Sequence, residues 1–148
     1  MAPWLQYIAM MTPDESPESV ATHRPTVLIV DDTPDGREIY SMHLQHRGFT
    51  VLTACDGNEG VEVAREKQPD IVIMDLAMAR LDGLGATRRL KRDARTRRIP
   101  VVILTAFPEK AVQQRAMEAG ASVFLTKPCL PDQLEDHIRR LLAVRPAA

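Results

Sequence analysis

The chain has 148 residues and a mass of 16.5 kDa, the size of one domain of roughly 100–150 residues, which excludes a two-domain enzyme. Its 45% hydrophobic and 26% charged residues exclude a disordered or fibrous protein. With 19 Lys+Arg against 20 Asp+Glu the formal charge is −1, so no net field draws the whole molecule to nucleic acid or to an anionic membrane, and any such contact must be local.

Residues 1–25 contain Pro3, Pro13, Pro17 and Pro25 and an acidic, Ser-containing patch from Asp14 to Ser19, which predicts a flexible N-terminal tail. Trp4, Ile8 and Met11 fall at i, i+4 and i+7, so a short docking helix is the competing expectation there. Residues 1–22 carry no Lys or Arg, and no apolar run approaches the roughly 20 residues of a membrane span. A cytoplasmic protein without membrane contact is expected, with Cys55 and Cys129 reduced.

One domain over 26–145 is predicted, and its texture changes at Thr26. Val27–Val30, Ile71–Met74, Val101–Leu104 and Val123–Leu125 are apolar on successive residues, the mark of strands covered on both faces, and Phe49–Ala54 is a weaker fifth strand. Between them the first helix is expected to start at Thr33 as N-cap with Pro34 at its first position and to end at Gly48, with Ile39, Met42 and His46 on one face. Further helices are read over 58–67, 85–92, 109–119 (closed by Gly120) and 132–144, the last with Leu134, Ile138, Leu141 and Leu142 on one stripe. Five β-α units imply an α/β doubly wound parallel sheet with helices on both faces.

Ligands of such sheets bind beyond the carboxyl ends of the strands. There the chain places Asp31 and Asp32 after strand one, Asp75 after strand three, Thr105 after strand four, and Thr126 and Lys127 after strand five. Three neighbouring carboxylates repel unless a cation joins them, and all-oxygen ligation suits Mg²⁺. A carboxylate can also attack phosphorus, with Lys127 as a point charge and Thr105 as a donor for phosphoryl oxygens. The set reads as a site where an aspartate is reversibly phosphorylated.

At these residues the chain resembles the receiver domain of bacterial two-component response regulators, in the manner of the chemotaxis regulators. The carriers are Leu28-Ile29-Val30-Asp31-Asp32, the stretch from Met74 to Gly83, Thr105-Ala106, Lys127-Pro128, and Asp56-Gly57 after strand two. The resemblance implies a flavodoxin-like five-stranded sheet of order 2-1-3-4-5 and phosphotransfer from a histidine kinase or histidine phosphotransfer protein. It implies Asp75 as phosphoacceptor and Mg²⁺ held by Asp31, Asp32, Asp75 and the Ala77 backbone carbonyl. Thr105 and Lys127 match the phosphate-sensing pair, Phe124 the aromatic switch position, and Lys127-Pro128 a bond usually cis. The output surface would lie around helix four, strand five and helix five, where a downstream protein or a second copy would bind. Two departures stand out: Ala79 replaces the usual Pro, and Phe124 lacks a hydroxyl. No output domain follows Ala148, so a stand-alone receiver or a piece of a longer regulator is expected.

Strand order puts Cys55 and Cys129 at opposite edges, about 19 Å apart, beyond the reach of a disulfide. A phosphatase of the haloacid-dehalogenase type, a Mg²⁺-dependent aspartyl-phosphate hydrolase, would need a second Asp where Ala77 stands, so enzymatic turnover is not expected. A flavin or dinucleotide site would want a phosphate loop where Asp31 and Asp32 put negative charge. The basic stretch from Arg80 to Arg98 could meet nucleic acid or an acidic protein, but no aromatic interleaves for stacking, and a solvated helix end is the plainer reading. His43 and His46 lack further ligands for a metal and are read as surface or packing residues.

Overall fold

The computed structural model describes residues 24–76 and 82–144, and within them five strands alternate with five helices. The strands are β1 (Thr26–Val30), β2 (Thr50–Ala54), β3 (Ile71–Met74), β4 (Val101–Thr105) and β5 (Val123–Thr126). The helices are α1 (Pro34–His46), α2 (Gly57–Lys67), α3 (Gly83–Arg92), α4 (Lys110–Ala119) and α5 (Pro131–Val144). All strand pairs are parallel, in the order β2-β1-β3-β4-β5. The tail with Trp4, Ile8 and Met11, and the loop with Ala77 and Ala79, lie outside the described residues.

Sheet position explains the strength of each strand signal. β1, β3 and β4 are central and almost wholly buried, hence continuously apolar, whereas β2 is an edge strand with Thr50 and Thr53 exposed. Alternate residues divide the core in two. Leu28, Val30, Val72, Met74, Val101 and Ile103 pack with residues of α2, α3 and α4 on one face. Val27, Ile29, Ile71, Ile73, Val102 and Leu104 pack with Tyr40 and Leu44 of α1 and Leu134 and Ile138 of α5 on the other.

α1 differs from its sequence reading in two respects. Ile39 and Met42 are 56% and 63% exposed and His46 is exposed, while the buried stripe is Tyr40 and Leu44. The aliphatic spacing pointed to the wrong face because the inward face also carries polar groups that find partners on α5. Thr33 does stand at the N-cap, but its hydroxyl makes no cap bond and donates instead to Asp31 Oδ1 at 2.7 Å. Past the helix, Gly48 adopts φ 95°, a conformation that glycine enters without penalty.

Those α5 partners centre on Glu135, only 5% exposed and hidden from the periodicity that marked its apolar neighbours. His43 Nε2 donates to its Oε1 at 2.8 Å, Arg139 Nε to Oε2 at 2.8 Å, and Arg47 Nε to both oxygens at 3.2 Å. Burial opposes ionisation, yet these donors outweigh it and hold the carboxyl down at about 2, against an ordinary 4.5. A carboxyl depressed in the folded state stabilises the fold above the unfolded value, and that contribution fades as pH falls from about 4.5 toward 2. Glu135→Gln is therefore expected to cost about 2 kcal/mol near neutral pH, discounted for the half-exposed guanidiniums. The difference from wild type should shrink below pH 4.5. Urea midpoints at pH 7 and pH 3.5 check this, and an equal loss at both would contradict it.

The cysteines are free, as the strand order requires. No helix among the described residues is long and apolar enough to cross a membrane.

Candidate functional site

The register of four adjacent strands, β1, β3, β4 and β5, assembles the site. Val30 pairs with Met74 across β1 and β3, so Asp31 and Asp75 step off the sheet side by side, with Asp75 N–H donating to the Val30 carbonyl at 3.0 Å. Thr105 pairs with Thr126 across β4 and β5, and Lys127 N–H donates to the Thr105 carbonyl at 2.7 Å. Each strand is too short to continue past these residues, so their polar side chains gather at one edge.

Asp31 and Asp75 are buried, Asp32 is exposed, and each offers a carboxylate oxygen within 4.8 Å of the other two. Lys127 Nζ stands 3.4 Å from Asp31 Oδ2 and 3.9 Å from Asp75 Oδ2. One ammonium offsets only one of three negative charges. Asp31 Oδ1 also accepts the Thr33 N–H at 2.8 Å and the Thr33 hydroxyl, leaving Oδ2 toward Lys127. Thr105 is fully buried, and its hydroxyl oxygen accepts the Phe107 N–H at 3.2 Å. Phe124 is half-buried against the α2-α3-α4 core and lines a cavity of about 480 Å³ with Pro108, Gln113, His137 and Arg140, a lining that includes none of Asp31, Asp32 and Asp75. The Lys127-Pro128 peptide bond is cis. Ala77 lies outside the described residues.

The chemistry of this donor set fits a small hard cation. Mg²⁺ takes oxygen ligands, and here three carboxylates each bring one oxygen within 4.8 Å of the other two. Asp31, Asp32 and Asp75 are the residues that would hold it.

Several contributors escaped the sequence reading. Arg37 Nη1 donates to the Asp31 backbone carbonyl at 2.6 Å, and Tyr40 hydroxyl to the Cys129 carbonyl at 2.7 Å. Neither pairing is visible without the fold, because both partners are loop carbonyls. Gly36 sits so close that a Cβ there would come within 2.7 Å of Asp31 Oδ2. At Gly83 a Cβ would collide with the Asp75 carbonyl oxygen and stand 2.8 Å from Leu76 Cα, while Asp82 caps α3 through the Gly85 N–H at 2.7 Å. Because backbone yields less readily than a side chain, Gly83→Ala should shift Asp75 and slow phosphorylation of the protein about tenfold. Rates with a small acyl phosphate, compared between wild type and variant, test this, and an unchanged rate would show that the loop absorbs the methyl group.

Residues 27–139 match the response regulator receiver domain family. The chain belongs to that family. Receiver domains are the phosphoacceptors of two-component systems, which implies exchange with a histidine kinase or phosphotransfer protein. The receiver is 39% identical over 117 residues to protein PilH of Pseudomonas aeruginosa, covering 79% of this chain and 97% of PilH. It is 36% identical over 118 residues to the transcriptional regulator RpaA of Synechocystis, covering 80% of this chain but 49% of RpaA. The chain thus spans about half the length of several curated relatives it matches. The solved receiver domain of the sensor histidine kinase PA1611 of P. aeruginosa superposes with a TM-score of 0.76 at 27% identity, covering 82% of this chain and 99% of that one, and holds a magnesium ion in its active-site cleft. These likenesses support neither the phosphatase nor the nucleic-acid reading of the receiver.

The basic segment has a structural account. Lys91 Nζ donates to the Ile99 and Arg97 carbonyls and burial pushes its ammonium down, while Arg65 Nε pairs with Asp93 at 2.7 Å. The exposed arginines at 88, 89 and 92 lie toward the C-terminal end of α3, where the helix dipole favours cations.

Proposed function

We propose that Asp75 accepts the phosphoryl group, that Asp31 and Asp32 with Asp75 and the Ala77 backbone carbonyl bind Mg²⁺, and that Thr105 and Lys127 engage the phosphoryl oxygens. The observation that carries this reading is the convergence of three carboxylates and one ammonium on one strand edge. When bound, the cation offsets charge between the carboxylates and an incoming phosphoryl group. An Asp75 carboxylate oxygen forms a bond to phosphorus as the bond from phosphorus to the partner's imidazole nitrogen breaks, the electron pair remaining on that nitrogen. Lys127 stays as a positive charge beside Asp31 and Asp75, and no substrate is turned over.

Thr105 then moves toward the phosphoryl group and Phe124 turns inward, shifting a two-state equilibrium at the surface of α4, β5 and α5. The cavity beside Phe124 and the exposed Met117 support that surface as the place where a downstream protein or a second copy binds. A cytoplasmic location suits such a partner set, with 26–145 as the working domain. The test is to incubate the protein with a small acyl phosphate and Mg²⁺ and map the modified peptide. One phosphoryl group on Asp75 is expected, and a group mapped to Asp31 or Asp32 would overturn the assignment.

A further inference from the structure

We propose that Tyr40 is a positioning residue for Lys127, an inference that rests on the role given to Lys127 above. Lys127 sits on the short loop between β5 and α5, and the nearest hydrogen bonds on either side of it set its place. On its near side the Lys127 N–H is held by the Thr105 carbonyl at 2.7 Å. Pro128 has no N–H to offer, and Leu130, three residues after Lys127, already belongs to the start of α5, its N–H donating to Gln133 Oε1 and its carbonyl accepting the Leu134 N–H, each at 3.0 Å. Among the described residues, the bond from the Tyr40 hydroxyl to the Cys129 carbonyl is the one hydrogen bond that ties 128–129 to another element. The anchor nearest to Lys127 on its far side is therefore a side chain of α1, acting two residues along the chain.

α1 is suited to this because it starts directly after the acid pair. Arg37, one turn before Tyr40 on the same helix, donates to the Asp31 carbonyl at 2.6 Å. The same helix thereby grips the loop that carries Asp31 and the loop that carries Lys127, and fixes one against the other. The gap it fixes is sensitive, since Lys127 Nζ stands at 3.4 Å and 3.9 Å from its two carboxylates, where a small loop shift decides contact. The Tyr40 ring is 9% exposed within the α1-α5 core. A phenylalanine would keep that packing and delete the anchor alone.

Phosphorylation rates with a small acyl phosphate and saturating Mg²⁺ should be measured for wild type, Tyr40→Phe, Lys127→Ala and the double variant. Tyr40→Phe is expected to be slower by about tenfold, the scale of a misplaced reacting group, and to have no further effect in the Lys127→Ala background. Its thermal midpoint and Mg²⁺ affinity should stay near wild type. A wild-type rate for Tyr40→Phe, or an equal factor in both backgrounds, overturns the positioning role while leaving Lys127 in place. A wild-type rate for Lys127→Ala instead removes the parent reading, and the inference falls with it.

Discussion

Asp75→Asn protein is expected to take up no phosphoryl group from a small acyl phosphate, a drop of at least about 10³-fold in rate. The asparagine amide matches the carboxylate in shape, so the strands and the Gly83 contact are preserved, but its nitrogen lone pair is delocalised and its oxygen carries no full charge. Removing one of three carboxylates also relieves repulsion, and Lys127 keeps its 3.4 Å partner in Asp31. The variant should therefore fold at least as well as wild type, which makes a loss of acceptance a statement about chemistry. Intact mass after incubation with Mg²⁺ reads the outcome directly. Uptake at wild-type yield would mean that another side chain is the nucleophile.

The second large effect is at the metal. Asp32 is exposed and makes no hydrogen bond among those of the described residues, whereas Asp31 holds Thr33 through two. Asp32→Ala should relieve repulsion without loosening the loop, stabilising the metal-free protein by roughly 1 kcal/mol and raising Tm by a few degrees. Asp31→Ala, which strands the Thr33 donors, should lower it. Both variants should lose the Mg²⁺-dependent rise in Tm, which for wild type reflects a stabilisation of about 2.7 kcal/mol at a hundredfold excess over Kd. Phosphorylation at fixed Mg²⁺ should fall by about 10²-fold in each. Thermal scans with and without Mg²⁺ suffice, and a retained metal-dependent shift in Asp32→Ala would remove that residue from the ligand set.

What the sequence determined by itself follows from properties that are local along the chain. Strands buried on both faces are apolar at every residue, so β1, β3 and β4 were legible to within a residue, and the polar residue ending each run marked the site edge. The order of those runs, with Asp31, Asp75, Thr105 and Lys127 at their ends, was enough to suggest the fold and the family. Tertiary structure decided whatever depends on partners distant in sequence. Which face of α1 turns inward could not be read from Ile39 and Met42, because the inward face is completed by Tyr40, His43 and Arg47, whose partners lie about 90 residues away on α5 and its preceding loop. Nothing local in the sequence marks Glu135 as buried, because only the arrival of three donors makes its burial affordable in free energy. Tyr40 and Arg37 carry no signal at all in one dimension. A hydrogen bond to a backbone carbonyl places no demand on which residue supplies that carbonyl, so only the folded chain shows that one helix holds both loops of the site.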